Sequence, residues 1–309
     1  MEQKLTHFLH VPWTGLGRFN GFRGNRWLKN RIKIFKQFVI PSIQAQSNKN
    51  FILWCAWRHE EKSNPYVKEL QEYLEGIIEF KTVFTFSGIC FWDDKYEYEI
   101  ARTRLIDSLM GAMGDLLNYI PDGNEVLMTI QPSDDIYHSN GVQAIQDAFK
   151  DNNLDAVGFS KGYICDYLTK TVAEYNPETN PPFYTIKFTK EVFSDPLKHL
   201  EFTSIKKDVN QYKAGTPIPS HEYPIFAFGK RYGIIKERGF LVGCHSDNIS
   251  TFFNIPYKGK NVDTETLKQF GIYDIPVLKV KTNIGRVIMR ALPHKIRRKL
   301  RYWRELLSK

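Results

Sequence analysis

Residues Phe51-Ile52-Leu53-Trp54-Cys55-Ala56-Trp57 form an apolar run with almost no polar alternation. Successive side chains of a strand leave opposite faces, so a strand wetted on one side alternates, and a strand apolar at every position is covered on both. That is the condition of an inner strand in a parallel sheet with helices on either side. The first 160 residues agree with it. Leu5 to Val11 alternates and ends at Pro12, a strand followed by a Gly- and Arg-rich loop from Gly15 to Arg26. Trp27 to Val39 carries apolar residues at helical spacing, and Pro41 is expected to interrupt or close that helix. Asn64-Pro65 opens a helix to about Leu74, Ile77 to Phe86 reads as a strand, and Tyr98 to Ile120 is the longest helical candidate. Val126 to Ile130 is a short buried strand, Val142 to Phe149 helical, and Asp155 to Ser160 a further strand. Strand and helix in alternation imply βαβ units.

After residue 160 the pattern changes. Tyr163 to Leu168 and Phe183 to Phe188 read as strands around a turn-rich stretch, and 190–275 is expected to be irregular, with Pro217, Pro219 and Pro224 in it. The net charge of +9 is concentrated in the last 31 residues, 279–309, where eleven basic residues stand against Glu305 alone. That segment holds +10, so residues 1–278 are close to neutral, and basicity of the whole chain is no sign of nucleic-acid binding. In the tail, Ile284, Val287, Ile288, Ala291 and Leu292 share one helical face; beyond Pro293, Ile296, Leu300, Trp303 and Leu307 form a second stripe among arginines and lysines. Three readings stay open for it: an anionic membrane surface, a solvated helix packed on the body, or RNA. The four cysteines, at 55, 90, 165 and 244, have apolar neighbours and are expected as buried thiols rather than disulfides or a zinc site. The N-terminus, Met1-Glu2-Gln3-Lys4, lacks the apolar stretch of a signal peptide, which leads to an expected cytoplasmic location.

The segment Thr129-Ile130-Gln131-Pro132-Ser133-Asp134-Asp135 carries the most chemistry. Two carboxylates at the carboxyl end of a buried parallel strand stand where open α/β sheets bind ligands, and they suit a hard divalent cation or a solvated turn. Asp93-Asp94 is a rival pair with no comparable strand before it. Arg102 and Arg104, near the start of the long helix, could hold phosphate oxygens or pair with Glu97 and Glu99. His245 and Asp247, two apart, are compatible with a metal ligand beside a general base, or with a structural histidine. No Walker-type loop, G-x-G-x-x-G after the first strand, G-x-S-x-G or H-E-x-x-H occurs, so ATPase, dehydrogenase, α/β-hydrolase and zincin readings lose their usual support.

Ala101-Arg102, the helix end Gly111 to Asp115, the apolar strand and then Ser133-Asp134-Asp135 resemble nucleotide-sugar glycosyltransferases of the GT-A fold. With Arg18-Phe19-Asn20, Trp27, Arg31, Phe35, Pro41-Ser42-Ile43, Gln46, Asn50 to Trp54 and the stretch His245 to Ser250, the order is similar to that of a rhamnosyl transferase family, over roughly residues 5–255. The resemblance implies a GT-A-type α/β fold: a mixed, mainly parallel sheet flanked by helices. It gives a domain over 1–278, with a nucleotide-sugar half (1–160) and an acceptor-side half (161–278), then the basic helical extension. It also implies transfer of a sugar, rhamnose among the candidates, from a nucleotide-diphosphate donor to a glycan or lipid-linked acceptor in cell-surface polysaccharide synthesis. Mn²⁺ or Mg²⁺ would be held by Asp134, Asp135 and His245, and the donor by Arg102, Arg104, Ser133 and Asp134. Asp247 would be the base, with His245 next. The tail would then rest on the inner face of the plasma membrane. The family has an acid two residues before Asp134, where this chain has Pro132, and Arg58 replaces another expected acid. A non-catalytic protein that binds sugar nucleotides or a membrane surface is the competing class.

Overall fold

The computed structural model describes residues 4–14, 25–88, 98–150, 153–177, 184–204, 206, 230–245, 248, 253–255 and 257–274, with only the backbone helix for 98–102. The chain begins with β1 (Leu5–Pro12), α1 (Asn25–Ile34), a π-helical turn (Phe35–Val39) and α2 (Ile40–Gln44). Then come β2 (Ile52–Arg58), a 3-10 turn (His59–Ser63), α3 (Pro65–Glu75), β3 (Lys81–Gly88), α4 (Tyr98–Leu117), β4 (Glu125–Ile130), β5 (Ile136–Tyr137) and α5 (Gly141–Lys150). β6 (Ala156–Asp166), β7 (Thr171–Tyr175), β8 (Tyr184–Phe188), α6 (Lys190–Ser194), α7 (Pro196–Phe202), β9 (Tyr232–Cys244), β10 (Lys258–Val262) and a 3-10 turn (Thr264–Phe270) complete it.

The sheet is mixed and flanked by helices. β3, β2, β1 and β4 lie side by side in that order and all run parallel. Past β4 the direction reverses: β8 is antiparallel to it, and β6, β7 and β10 follow in antiparallel pairs. β9 pairs in parallel with β6 and in antiparallel with β5. The run at β2 is buried on both faces as expected, and its side chains separate cleanly. Leu53, Cys55 and Trp57 enter a core shared with α1, α2 and α3. Trp54 and Ala56 enter another, under α4, α6 and α7. Thr185, Thr129 and His7 form a buried polar chain across β8, β4 and β1, with Thr129 Oγ1 2.5 Å from Thr185 Oγ1 and 2.7 Å from His7 Nε2. Gln146 Nε2 then lies 3.1 Å from His7 Nδ1, so the imidazole is partnered at both nitrogens.

Of the two outcomes expected at the first helix, interruption or closure, the structure shows interruption at Pro41. A π turn precedes it, in which the Ile40 N–H reaches Phe35 O, and the wider spacing carries the chain past a residue that has no N–H to donate and a ring that crowds the preceding turn. Residues 190–275 are not irregular throughout: they contain two helices, the thirteen-residue β9 and β10. The first half of β9 alternates between exposed and half-buried until Lys236 and Glu237, both exposed, and residues 239–244 are wholly buried, so no single period spans it. β7 was also not foreseen. Cys55, Cys165 and Cys244 are buried free thiols as expected. Cys90, the Asp93-Asp94 pair, the three prolines at 217, 219 and 224, and the tail 279–309 lie outside the described residues. No described helix is long and apolar enough to cross a membrane.

Candidate functional site

β1 leads by way of α1 and α2 to β2 on one side of it, while β4 lies on its other side. The sheet therefore changes winding direction between β1 and β4, and the carboxyl ends of those two strands are the place where open α/β sheets form their ligand crevice. The Gln131–Asp135 turn closes β4 at that place. Gln131 N–H donates to His10 O at 2.7 Å, continuing the β1–β4 ladder by one residue. The Gln131 side-chain amide then turns back to donate to Pro132 O (3.0 Å) and Asp135 O (2.7 Å), and Tyr167 OH donates to Asp134 O at 2.9 Å. The Tyr167 ring is itself stacked on Phe38 of the π turn.

Both acidic side chains are engaged. Asp135 Oδ1 accepts the Gly243 N–H at 2.7 Å, fastening the turn to the end of β9. Gly243 has to be glycine, because a Cβ there would lie 2.2 Å from Asp134 O and 2.5 Å from the Tyr167 ring. Asp134 Oδ2 forms an ion pair with Arg31 Nη1 and accepts hydrogen bonds from His245 Nε2 (3.1 Å) and Asn248 Nδ2 (3.0 Å). Asn248 Nδ2 also donates to Gly243 O, and its Oδ1 accepts from the His245 N–H. Arg31 Nη1 lies 3.4 Å from His245 Nε2 as well. One imidazole nitrogen cannot donate to Asp134 and accept from Arg31 at once; the shorter contact to the carboxylate assigns the proton to Nε2. Burial acts to raise the Asp134 carboxyl, but the Arg31 charge and the His245 hydrogen bond outweigh it and bring the group down to about 2. Asp134 is thus an anion at neutral pH.

Of the residues singled out in the sequence, Asp134, Asp135 and His245 meet here. His245 is fully buried and touches Asp134 rather than solvent. Ser133 is half-buried in the same turn. Arg104 is exposed on α4, and Arg102 lies in the same helix with its side chain outside the described residues, as is Asp247. α4 follows β3 and precedes the parallel β4, so it starts at the carboxyl edge, the edge of the acidic turn. Arg31, Asn248, Tyr167 and Gln131 were not foreseen as site residues. Arg31 left a trace in the sequence: it stands at helical spacing from Trp27, Leu28 and Phe35, a charge on an apolar face. Nearby, at the ends of β1 and β2, buried Glu61 accepts from Thr14 Oγ1 (2.9 Å) and from Arg58 Nη2 (2.7 Å), so the arginine that ends β2 is paired with its own acid.

The donor set does not fit a divalent cation as it stands. Asp134 Oδ2 already holds three donors and Asp135 Oδ1 a backbone amide, and no three His, Cys, Asp or Glu side chains among the described residues are placed to share a metal.

No family profile and no curated protein matches the chain. Among solved structures it is similar to S. aureus TarS 1-349, at 10% identity and a TM-score of 0.39, over 77% of this chain and 60% of that one. The complex of TarS 1-349 with UDP-GlcNAc gives 10% identity and a TM-score of 0.41, over 79% and 60%. A longer S. aureus TarS structure gives 8% and 0.38, over 78% and 37%. The chain thus spans about three fifths of TarS 1-349.

Proposed function

We propose that the chain is a glycosyltransferase that takes a sugar from a nucleotide-diphosphate donor bound in the crevice at the carboxyl ends of β1 and β4. The observation that carries the reading is the braced acidic turn at the point where the sheet changes winding direction. The order of motifs from Arg18 to Ser250 supports it and supplies the sugar-nucleotide chemistry.

In this reading the turn's backbone and the Ser133 hydroxyl face the donor. Arg102 and Arg104, from the first turns of α4, offset the negative charge that grows on the leaving diphosphate as the anomeric C–O bond breaks. Asp247 accepts the proton of the acceptor hydroxyl. His245 acts through Asp134, holding its carboxylate and so the turn. The sugar is a hexose, rhamnose among the candidates, the acceptor a glycan or lipid-linked glycan, and the basic tail brings the enzyme to an anionic membrane where such acceptors lie.

The test is thermal melting of the full chain with UDP, GDP, dTDP and CDP, followed by release of nucleoside diphosphate from the matching sugar nucleotide. One nucleotide is expected to raise Tm, since a ligand that binds only the folded state stabilises it, and the release is expected to be slower in Asp247→Asn. A Tm shift without any release would leave a sugar-nucleotide binder instead. No shift with any nucleotide would overturn both.

A further inference from the structure

The cation of the acidic turn comes from the chain itself. Arg31 rises from α1 into the site with 5% of its surface exposed, lies over the Trp27 ring at 5.6 Å and forms the ion pair with Asp134. That carboxylate oxygen also takes His245 Nε2 and Asn248 Nδ2, at 3.1 and 3.0 Å. Each oxygen of a carboxylate offers about two lone-pair sites, so three donors on Oδ2 leave that oxygen none to give to a metal, and a cation could approach Asp134 only through Oδ1. Asp135 does not supply the lack. Its Oδ1 accepts the Gly243 N–H, which draws its carboxylate toward β9.

A divalent cation taking Asp134 Oδ2 would have to displace a guanidinium that is almost wholly buried where it lies. Arg31 Nε is already buried with no hydrogen-bond partner among the described residues, so the ion pair with Asp134 is what compensates its charge there. Removing one member of such a pair leaves the other as an uncompensated buried charge. Metal binding would therefore work against the packing of α1 on the turn. The elements joined are far apart in the chain: α1 supplies Arg31, the end of β4 supplies Asp134, and the segment after β9 supplies His245 and Asn248.

We propose that Arg31 is the permanent counter-cation of Asp134 and a positioning residue of the site. If the transferase reading above is correct, on which this second part rests, the donor nucleotide diphosphate binds without a divalent metal ion. Arg31 then does for the turn what a metal would otherwise do: it holds the acidic strand end as an anion in one fixed orientation, and leaves the diphosphate charge to cationic side chains.

The test uses the full chain and has two independent arms. In the first, Mn²⁺ is titrated with wild type and with Asp134→Asn, and free Mn²⁺ is read from its electron paramagnetic resonance signal with no nucleotide present. Wild type and variant are expected to remove the same amount of Mn²⁺. Arg31→Met, which frees the Asp134 oxygen, is expected to gain Mn²⁺ uptake; Arg31→Lys is expected to reverse that gain, and so is the double variant Arg31→Met with Asp134→Asn. A purely structural arginine would produce no such gain. Uptake by wild type that Asp134→Asn abolishes would overturn the proposal, and that comparison holds even if Arg31→Met does not fold. In the second arm, the Tm shift with the responsive nucleoside diphosphate is measured in EDTA and in Mn²⁺. Equal shifts support metal-free binding, and a shift lost in EDTA overturns it. No shift in either medium counts against the transferase reading alone, while the first arm still decides the role of Arg31.

Discussion

Three buried titratable side chains sit at positions where the fold rather than solvent sets the charge. Desolvation brings His7 down to about 3, between Thr129 and Gln146, and both ring nitrogens are used in the neutral form. Burial likewise brings His199, stacked on Phe188 at 4.8 Å, down to about 4. Asp134 is held at about 2, where Arg31 and His245 outweigh its own burial. All three values lie below those of the unfolded chain, so in each case the unfolded state takes the proton first as pH falls. The imidazoles contribute fully above about 6.5 and lose that contribution as pH drops toward 4 and then 3; Asp134 contributes above about 4 and loses it toward 2. Urea unfolding at a series of pH values is thus expected to show a plateau above about pH 6.5. Below it a loss of a few kcal/mol is expected by about pH 4, with a further loss in stronger acid. Stability unchanged between pH 7 and pH 4 would contradict the neutral, partnered His7.

The strand β9 shows what an element can owe to single positions. It runs beside β6 for most of its length, with registers from Ala156↔Tyr232 to Asp166↔Cys244. Three glycines allow the approach. A Cβ at Gly162 would lie 2.4 Å from Phe240 O, and one at Gly239 would lie 2.0 Å from the Phe159 ring. Gly243 makes the third contact, against the acidic turn. Its obstruction is partly backbone, so the neighbour cannot swing aside as a flexible side chain would. Gly243→Ala is therefore expected to destabilise the protein by roughly 2 kcal/mol, within the usual range for overpacking, and to lower Tm accordingly. It should also weaken nucleotide binding, because the amide it displaces holds Asp135. A variant with wild-type Tm and wild-type nucleotide response would show that the turn tolerates another position of β9. The helix at α3 was legible for the opposite reason. Asn64-Pro65 is a local signal, and Asn64 Oδ1 accepts the Tyr66 N–H at 3.0 Å as its cap.

At the scale of the whole molecule, charge separates a near-neutral body from a tail of +10. Attraction of about 1 kcal/mol per basic residue near an anionic surface would make the tail a reversible anchor. The full chain is expected to sediment with phosphatidylserine vesicles and to be released by salt, while a chain ending at residue 278 stays in solution. Equal sedimentation of the two would remove the tail from membrane binding. The sequence by itself determined the α/β character, the burial of β2 on both faces and the place of the acidic turn at a strand end. Each of these follows from side-chain period and turn chemistry within a few residues. Tertiary structure alone decided that β9 joins the sheet and that Asp134 meets His245 and Asn248, 111 and 114 positions away, with Arg31 closing the cluster. The physical reason is that a period reports only which face of its own element a side chain takes. A carboxylate buried against a guanidinium is stable only once several distant elements have packed, and no local pattern records that packing.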